Sequence, residues 1–324
     1  MERRELGRTG IEVSPVGLGT LQFGSRGLTT GFYPALPPER IAEIVRAAVE
    51  GGIDWFDTAE MYGRGESERL LASSLTEAGV RPGDVVIASK WTPWLRTARS
   101  ISRTIDARLR ALAPFPLDLH QIHMPHGSFS RIESQVEQLA QLREAGRIGA
   151  VGVSNFSAAH MERAHDVLRR HGLRLAANQV QINLLARDIE TDGVLETAER
   201  LGVTLIALAP LRTGLLTGKF HERPELLRNV PRVRRLMAAY TPKTFAATTP
   251  LIDTMREIAS AHGATVSQVA IAWILQRYGT RVVVIPGASK VHHAQESAAA
   301  MSLELTAREM TALDERSSAA IARL

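Results

Sequence analysis

The chain has no cysteine. Disulfides, thiol nucleophiles and thiolate-held zinc or iron–sulfur centres are excluded at once, so any chemistry must use other side chains. Lysine is scarce as well: Lys90, Lys219, Lys243 and Lys290 are the only four among 39 basic residues. With arginine serving the surface, each lysine invites a specific reason. No run of about 18 apolar residues occurs, and the opening Met1-Glu-Arg-Arg-Glu-Leu-Gly-Arg8 has no apolar stretch behind its charges. Neither a membrane span nor a secretory leader is expected, and the chain reads as cytoplasmic. The net charge of +5 is spread along the sequence and mixed with acids, the pattern of a solvated surface without a nucleic-acid partner.

What is present is globular. Hydrophobic residues make up 44% and charged residues 23% of 324, enough for a sizeable core. Short β-rich runs alternate with segments of helical period. Strands are expected at Val16–Gly19, Ile53–Asp57, Val85–Lys90, Leu117–His123, Ile148–Val153, Ala177–Val180, Val203–Leu208 and Val282–Ile285. Helices are expected at Pro38–Val49, Ser67–Thr76, Thr97–Leu112, Ile132–Ala145, Ala158–His171, Gly193–Leu201, Leu251–His262, Thr265–Tyr278, Val291–Met301 and Ala307–Ser317. Ala145-Gly146 and His171-Gly172 read as helix ends, and Ser67, Asp192 and Thr306 as caps. Leu6-Gly-Arg-Thr-Gly-Ile11 reads as a hairpin. Eight strand–helix units without a Gly/Ser/Pro-rich linker predict an α/β fold: one (β/α)8 TIM barrel over residues 1–324, with an N-terminal hairpin and an extra C-terminal helix. The irregular stretches Thr213–Pro250 and Gly24–Pro38 read as loops beside an active site.

In such a barrel the chemistry gathers where the strands end. Strand two ends in Asp57, strand three in Lys90, strand four in His123, strand five in Ser154-Asn155, and strand six near Gln179. Alternate side chains face the interior, and Lys90 shares its face with Val86 and Ala88 while His123 shares its own with Leu117 and Leu119. These groups would converge on the barrel mouth.

The same residues carry a resemblance. Asp57-Thr-Ala-Glu-Met-Tyr62-Gly, Ala88-Ser-Lys90, Gln121-Ile-His123 and Gly152-Val-Ser-Asn-Phe156 resemble, in order and spacing, the motifs of the aldo-keto reductases, in the branch of potassium-channel β subunits and pyridoxal-reductase-like proteins. The likeness runs from Val16-Gly-Leu-Gly-Thr20 through Asn178-Gln-Val180 and Gly214-Leu-Leu-Thr-Gly-Lys219 to Ile285-Pro-Gly287. It implies an NADPH-dependent enzyme that reduces a small-molecule carbonyl substrate, with Tyr62 as proton donor, Lys90 beside it, Asp57 pairing Lys90, and His123 orienting the carbonyl. An ordinary tyrosine, with a pKa of about 10, is a poor acid near neutrality until a neighbouring positive charge favours the phenolate.

For the cofactor, the resemblance implies Gly19 and Thr20 after strand one, and Ser154, Asn155 and Gln179 at the nicotinamide carboxamide. Leu208, Pro210 and Leu211 follow strand seven, where Leu208 replaces a common aromatic. Leu215, Gly218 and Lys219 would lie over the pyrophosphate. Ile285, Gly287, Ser289 and Lys290 would meet the adenosine phosphate, with His293, Glu296 and Ser297 on the adenine side. Ser289 stands where arginine is common, so NADPH preference over NADH is expected to be modest. Phe23, Trp91, Met124 and His126 are the expected substrate wall.

The same residues argue against rival chemistries. No G-x-G-x-x-G follows a strand, and Gly214-Leu-Leu-Thr-Gly-Lys219 is one residue short of a phosphate loop and lacks its Ser/Thr. His120, His123 and His126 recur every third residue, but positions three apart on a strand face opposite ways, so no metal is expected. A Schiff base at Lys90 would need a neutral amine, which Asp57 opposes. The other class of function is a nicotinamide-binding, redox-sensing regulatory subunit with little turnover, which the channel-subunit likeness motivates.

Overall fold

The computed structural model describes residues 2–24, 33–236 and 240–324; residues 25–32 of the Gly24–Pro38 loop and 237–239 of the Thr213–Pro250 stretch lie outside the described residues. A short antiparallel hairpin, β1 (Arg4–Glu5) and β2 (Glu12–Val13), precedes eight parallel strands. These are β3 (Leu18–Gly19), β4 (Trp55–Asp57), β5 (Val86–Trp91), β6 (Leu119–Ile122), β7 (Ala150–Ser154), β8 (Leu175–Gln181), β9 (Thr204–Leu208) and β10 (Val282–Val284), each beside the next in one sheet. Parallel bridges from Val16 to Val284 and from Gly19 to Gly287 join the first strand to the last, and the sheet closes into the expected TIM barrel.

The two faces of each strand have separate cores. Trp55, Ala88, Leu119, Ala150, Ala177, Ile206 and Val283 fill the interior, whereas Phe56, Ile87, Ile122, Val151, Leu205 and Val282 face the helices. Burial on both faces is why these strands read as nearly continuous apolar runs. Leu6 and Val13 of the hairpin join the interior cluster. The Gly7 N–H donates to Thr204 Oγ1 at 2.8 Å and Arg4 Nη1 to the Val282 carbonyl at 2.5 Å, so the hairpin plugs the amino-terminal end of the barrel.

Around the barrel lie α1 (Pro38–Glu50), α2 (Glu66–Glu77), α3 (Arg99–Leu112), α4 (Ile132–Glu144), α5 (Ala158–Arg170) and α6 (Val194–Leu201). After β9 come the short α7 (Lys219–Glu222) and α8 (Arg232–Arg235), then α9 (Pro242–Ala261), α10 (Val266–Tyr278), α11 (Val291–Ala299) and the extra C-terminal α12 (Ala307–Ile321). Thr306 caps α12 in a reciprocal capping box with Glu309, and Asp192 Oδ1 accepts from the Val194 N–H at the start of α6. No single helix among the described residues is long and apolar enough to cross a bilayer.

Two expectations need correction. Helix α9 begins at Pro242, not Leu251. The Thr241 hydroxyl accepts from the Thr244 N–H, Pro242 sits where its missing N–H costs nothing, and buried Ala247, Leu251, Ile252 and Met255 outweigh the break that Pro250 would impose. Ser67 is not a cap: α2 already starts at Glu66, after Gly65 in the left-handed region (φ 85°). The Ser67 hydroxyl instead turns into the barrel wall, donating to the Thr20 carbonyl at 2.9 Å and accepting from Thr58 Oγ1 at 3.0 Å.

Candidate active site

Strand register sets the floor of the site at the carboxyl-terminal mouth. Gly19 pairs with Asp57, Lys90 with Gln121, Gln121 with Gly152, and Ser154 with Gln179. Their inward side chains therefore meet in one layer above the apolar interior. Lys90 and Asp57 are both buried, with Lys90 Nζ donating to Asp57 Oδ2 at 2.5 Å and to the Thr58 carbonyl at 2.8 Å. The other Asp57 oxygen, Oδ1, accepts from Gln179 Nε2 at 2.9 Å and Gln121 Nε2 at 3.2 Å. Gly152 permits this: a Cβ there would stand 2.9 Å from Gln121 Cγ.

Tyr62 leads out of this layer in the short turn Tyr62–Arg64, and its ring lies 5.2 Å from Lys90 Nζ and edge-on to His123 at 5.9 Å. Gly24 packs so closely on the turn that a Cβ would sit 2.6 Å from the Gly63 nitrogen. Burial pushes the Tyr62 hydroxyl above its ordinary value although Lys90 pulls it down, so the group is a neutral donor in the free protein. The expected pull of Lys90 on the Tyr62 hydroxyl is present, but desolvation outweighs it. For Lys90 burial acts downward, but Asp57 and Tyr62 prevail and its pKa is raised, leaving an ammonium. Burial, aided by Lys90, lowers His123 to about 3. The imidazole is neutral at physiological pH, and its Nδ1 is buried without a partner.

A cavity of about 1020 Å³ opens above these groups. Asp57, Tyr62 and His123 form part of its wall, and Lys90, buried, pairs with Asp57 beneath it. Gly19, Thr20, Ser154, Asn155, Gln179, Leu208, Pro210, Leu211, Lys219, Ile285, Gly287, Ser289, Lys290, His293, Glu296 and Ser297 also line it. Asn155, in the left-handed region at φ 60°, donates through Nδ2 to the His123 carbonyl at 3.2 Å and to Ser154 Oγ at 3.0 Å. No hydrogen bond among the described residues uses Asn155 Oδ1 or Gln179 Oε1, which leaves two acceptors for an amide. Of the lysines that line it, neither Lys219 nor Lys290 pairs with a carboxylate among the described residues, and Lys219 is lowered by burial and by Arg234 and Lys290. Such a cluster of like charge awaits an anion.

Several expected residues lie elsewhere. Leu215 is fully buried beneath the wall, and Gly218 (φ 75°) caps α7 behind it, its carbonyl accepting from Arg256 Nη2 at 3.2 Å. None of the four residues expected as substrate wall lines the cavity. Phe23 and Trp91 are buried in the outer core, Met124 is half-buried and His126 exposed. Trp91 follows inward-facing Lys90, so strand alternation turns it out beneath α3, where Nε1 donates to Ser100 Oγ at 3.0 Å. His120 likewise faces outward, with Nδ1 3.3 Å from the Ser89 carbonyl and a pKa lowered by burial to about 4.

Other contributors were not anticipated. Gln121 could have been found by the parity it shares with Leu119 and His123. The roof could not: Arg234 stacks on Tyr33 at 4.5 Å and donates to the Thr213 carbonyl at 2.7 Å and to Tyr240 Oη at 2.9 Å, joining segments far apart in sequence.

A closed parallel barrel with a buried Asp–Lys pair under a tyrosine and a histidine at its mouth defines a class of oxidoreductase. The chain belongs to the aldo/keto reductase family, whose model matches residues 15–317. It is 32% identical over 315 residues to the chloroplastic pyridoxal reductase of Arabidopsis thaliana, covering 94% of this chain and 83% of that one. Among solved structures it resembles the glycerol dehydrogenase of Gluconobacter oxydans, with a TM-score of 0.82, 27% identity, and coverage of 97% and 94% of the two chains. It also resembles an aldo/keto reductase from Klebsiella pneumoniae in complex with NADP and acetate, with a TM-score of 0.71, 25% identity, and coverage of 97% and 95%.

Proposed function

We propose that this protein reduces aldehydes or ketones to alcohols with NADPH as the preferred cofactor. The observation that carries the reading is the grouping of Asp57, Lys90, Tyr62 and His123 at a cavity that Lys219 and Lys290 also line. When bound, the dihydronicotinamide supplies the hydride. Ser154, Asn155 and Gln179 would hold its carboxamide, the Asn155 and Gln179 oxygens accepting from the amide nitrogen. Lys219 and Lys290 would hold phosphates, and Ser289 at the start of α11 adds a hydroxyl donor. Leu208 offers an aliphatic face to the ring.

Carbonyl reduction builds negative charge on the substrate oxygen, which needs donors already in place. The neutral His123 donates a hydrogen bond to that oxygen and fixes its direction. The Tyr62 hydroxyl gives it a proton, and the Lys90 ammonium stabilises the phenolate left behind. Asp57 holds Lys90 in position and keeps it charged. Tyr62 then regains a proton from solvent as the alcohol leaves.

The reading is tested with the purified chain, NADPH or NADH, and a panel of aromatic and aliphatic aldehydes. Loss of reduced-nicotinamide absorbance, faster with NADPH, is expected. Tight binding of nucleotide without turnover of any carbonyl would favour a redox-sensing subunit. A second measurement isolates the phosphate end: Lys290→Ala is expected to weaken 2′,5′-ADP by about tenfold, the loss of one charge-assisted bond, and 5′-AMP much less. Equal weakening of both ligands would remove Lys290 from the 2′-phosphate.

A further inference from the structure

Behind the catalytic layer, on the outer face of β5, lies a buried ionic cluster to which the proposed reaction assigns no part. Glu68, in the first turn of α2, is fully buried. Its Oε1 accepts from Ser89 Oγ at 2.6 Å, and its Oε2 lies 3.0 Å from Arg108 Nε. Arg108 Nη1 also reaches Glu60 Oε2 at 3.4 Å. Glu60 accepts from the Thr92 N–H at 2.6 Å and pairs with Arg96. Two carboxylates thus hold the chain on either side of Lys90, at Ser89 on β5 and at Thr92 just beyond it.

The connection to Tyr62 is equally short. Only Gly63, Arg64 and Gly65 separate Tyr62 from α2, and that helix is fastened through Ser67 to Thr20 and Thr58, whose carbonyl accepts from Lys90. Glu68 completes the set by holding the third strand. We propose that Glu68 is a positioning residue for proton transfer: from the helix that follows Tyr62 it grips the strand that carries Lys90, and its charge adds to that of Asp57 in favouring the Lys90 ammonium. This rests on the reductase reading above.

A structural tie alone would need no charge, and a buried carboxylate is costly. Burial, and secondarily Glu60, push Glu68 up to about 7 against the pull of Arg108, Ser89 and Lys90, so its ionisation changes within the working range. The other groups facing it do not titrate there in the same way. His120, across Ser89 on β6, is lowered to about 4 and His123 to about 3; the remaining charged side chains of the cluster are Glu60, Arg96 and Arg108. Above neutrality the Glu68 carboxylate favours the Lys90 ammonium and opposes a phenolate on Tyr62; below it, both effects fade.

With only four lysines, the full chain labelled with 13Cε-lysine gives four signals, and that of Lys90 is assigned by its loss in Lys90→Met. Titrated from pH 5.5 to 9, the wild-type Lys90 signal is expected to inflect near neutrality, and kcat for aldehyde reduction to fall through the same pH. In Glu68→Gln, which keeps an acceptor for Ser89 but removes the charge, both inflections should be lost. Should that variant not fold, Ser89→Ala removes a donor to the carboxylate and should move the Lys90 inflection to higher pH. A flat wild-type signal, an inflection that survives in Glu68→Gln, or one unmoved in Ser89→Ala overturns the proposal. A Lys90 inflection that behaves as expected in a chain that turns over no carbonyl overturns the reductase reading alone.

Discussion

Replacing Tyr62 by phenylalanine is expected to lower kcat by roughly 10²–10⁴-fold, the usual worth of a positioned general acid, while leaving the Kd for NADPH nearly unchanged. The expectation follows from the separation of roles along the cavity. The groups suited to the nucleotide, from Ser154 to Lys290, lie on the wall made by β7 to β10, whereas the Tyr62 ring packs edge-on against His123 and 5.2 Å from Lys90 Nζ. Phenylalanine keeps both ring contacts and deletes only the hydroxyl. Single-turnover absorbance measurements with NADPH already bound isolate the chemical step from release. Full activity in Tyr62→Phe would remove the residue as proton donor and with it the proposed mechanism. The neutral His123, lowered by burial to about 3, would not replace the lost proton donor at physiological pH, although the hydrogen bond proposed for it would remain.

Much of this arrangement was legible in the sequence, for a reason that also explains the failures. Strand ends and period-two alternation are local properties: the ends put Asp57, Lys90, His123, Ser154 and Gln179 at one mouth, and alternation turned Lys90 and His123 inward. The same alternation, applied one residue further, places Trp91 outside the barrel, where the structure has it. The error there was to follow residue type, an aromatic near a site, over strand geometry. Helix α9 misled in a similar way: Pro250 is a strong local stop, but the cap at Thr241 and the apolar positions beyond it decide in favour of continuation. Ser67 looked like a cap because its type and place suit one, while its partners, Thr20 and Thr58, are local only in the folded barrel. The roof made by Tyr33, Arg234 and Tyr240 has no local signal at all. It depends on how two irregular loops meet.

The largest effect on stability is expected at the floor of the site. Lys90→Met should cost about 3–5 kcal/mol of unfolding free energy, the range for removing one partner of a buried ion pair, read from urea unfolding of the free protein. Asp57 would keep its two amide donors, Gln121 and Gln179, but no positive charge, in a pocket where its side chain is only 3% exposed. The cost arises from the carboxylate left behind and not from the lysine contacts themselves. The double variant Asp57→Asn with Lys90→Met should therefore regain a large part of the loss, since it removes both charges and keeps an acceptor and an isosteric stem. The pH dependence has a definite sign. Because the Lys90 pKa is raised in the folded chain, its contribution is fully present below the unfolded value of about 10.4 and is lost as pH rises through the higher folded value. Wild type should thus lose stability in strongly alkaline solution by a step that Lys90→Met lacks. If Lys90→Met unfolds at the same urea concentration as wild type, the pair serves catalysis without holding the barrel together, and the short Asp57–Lys90 contact is maintained at the expense of stability from the surrounding core.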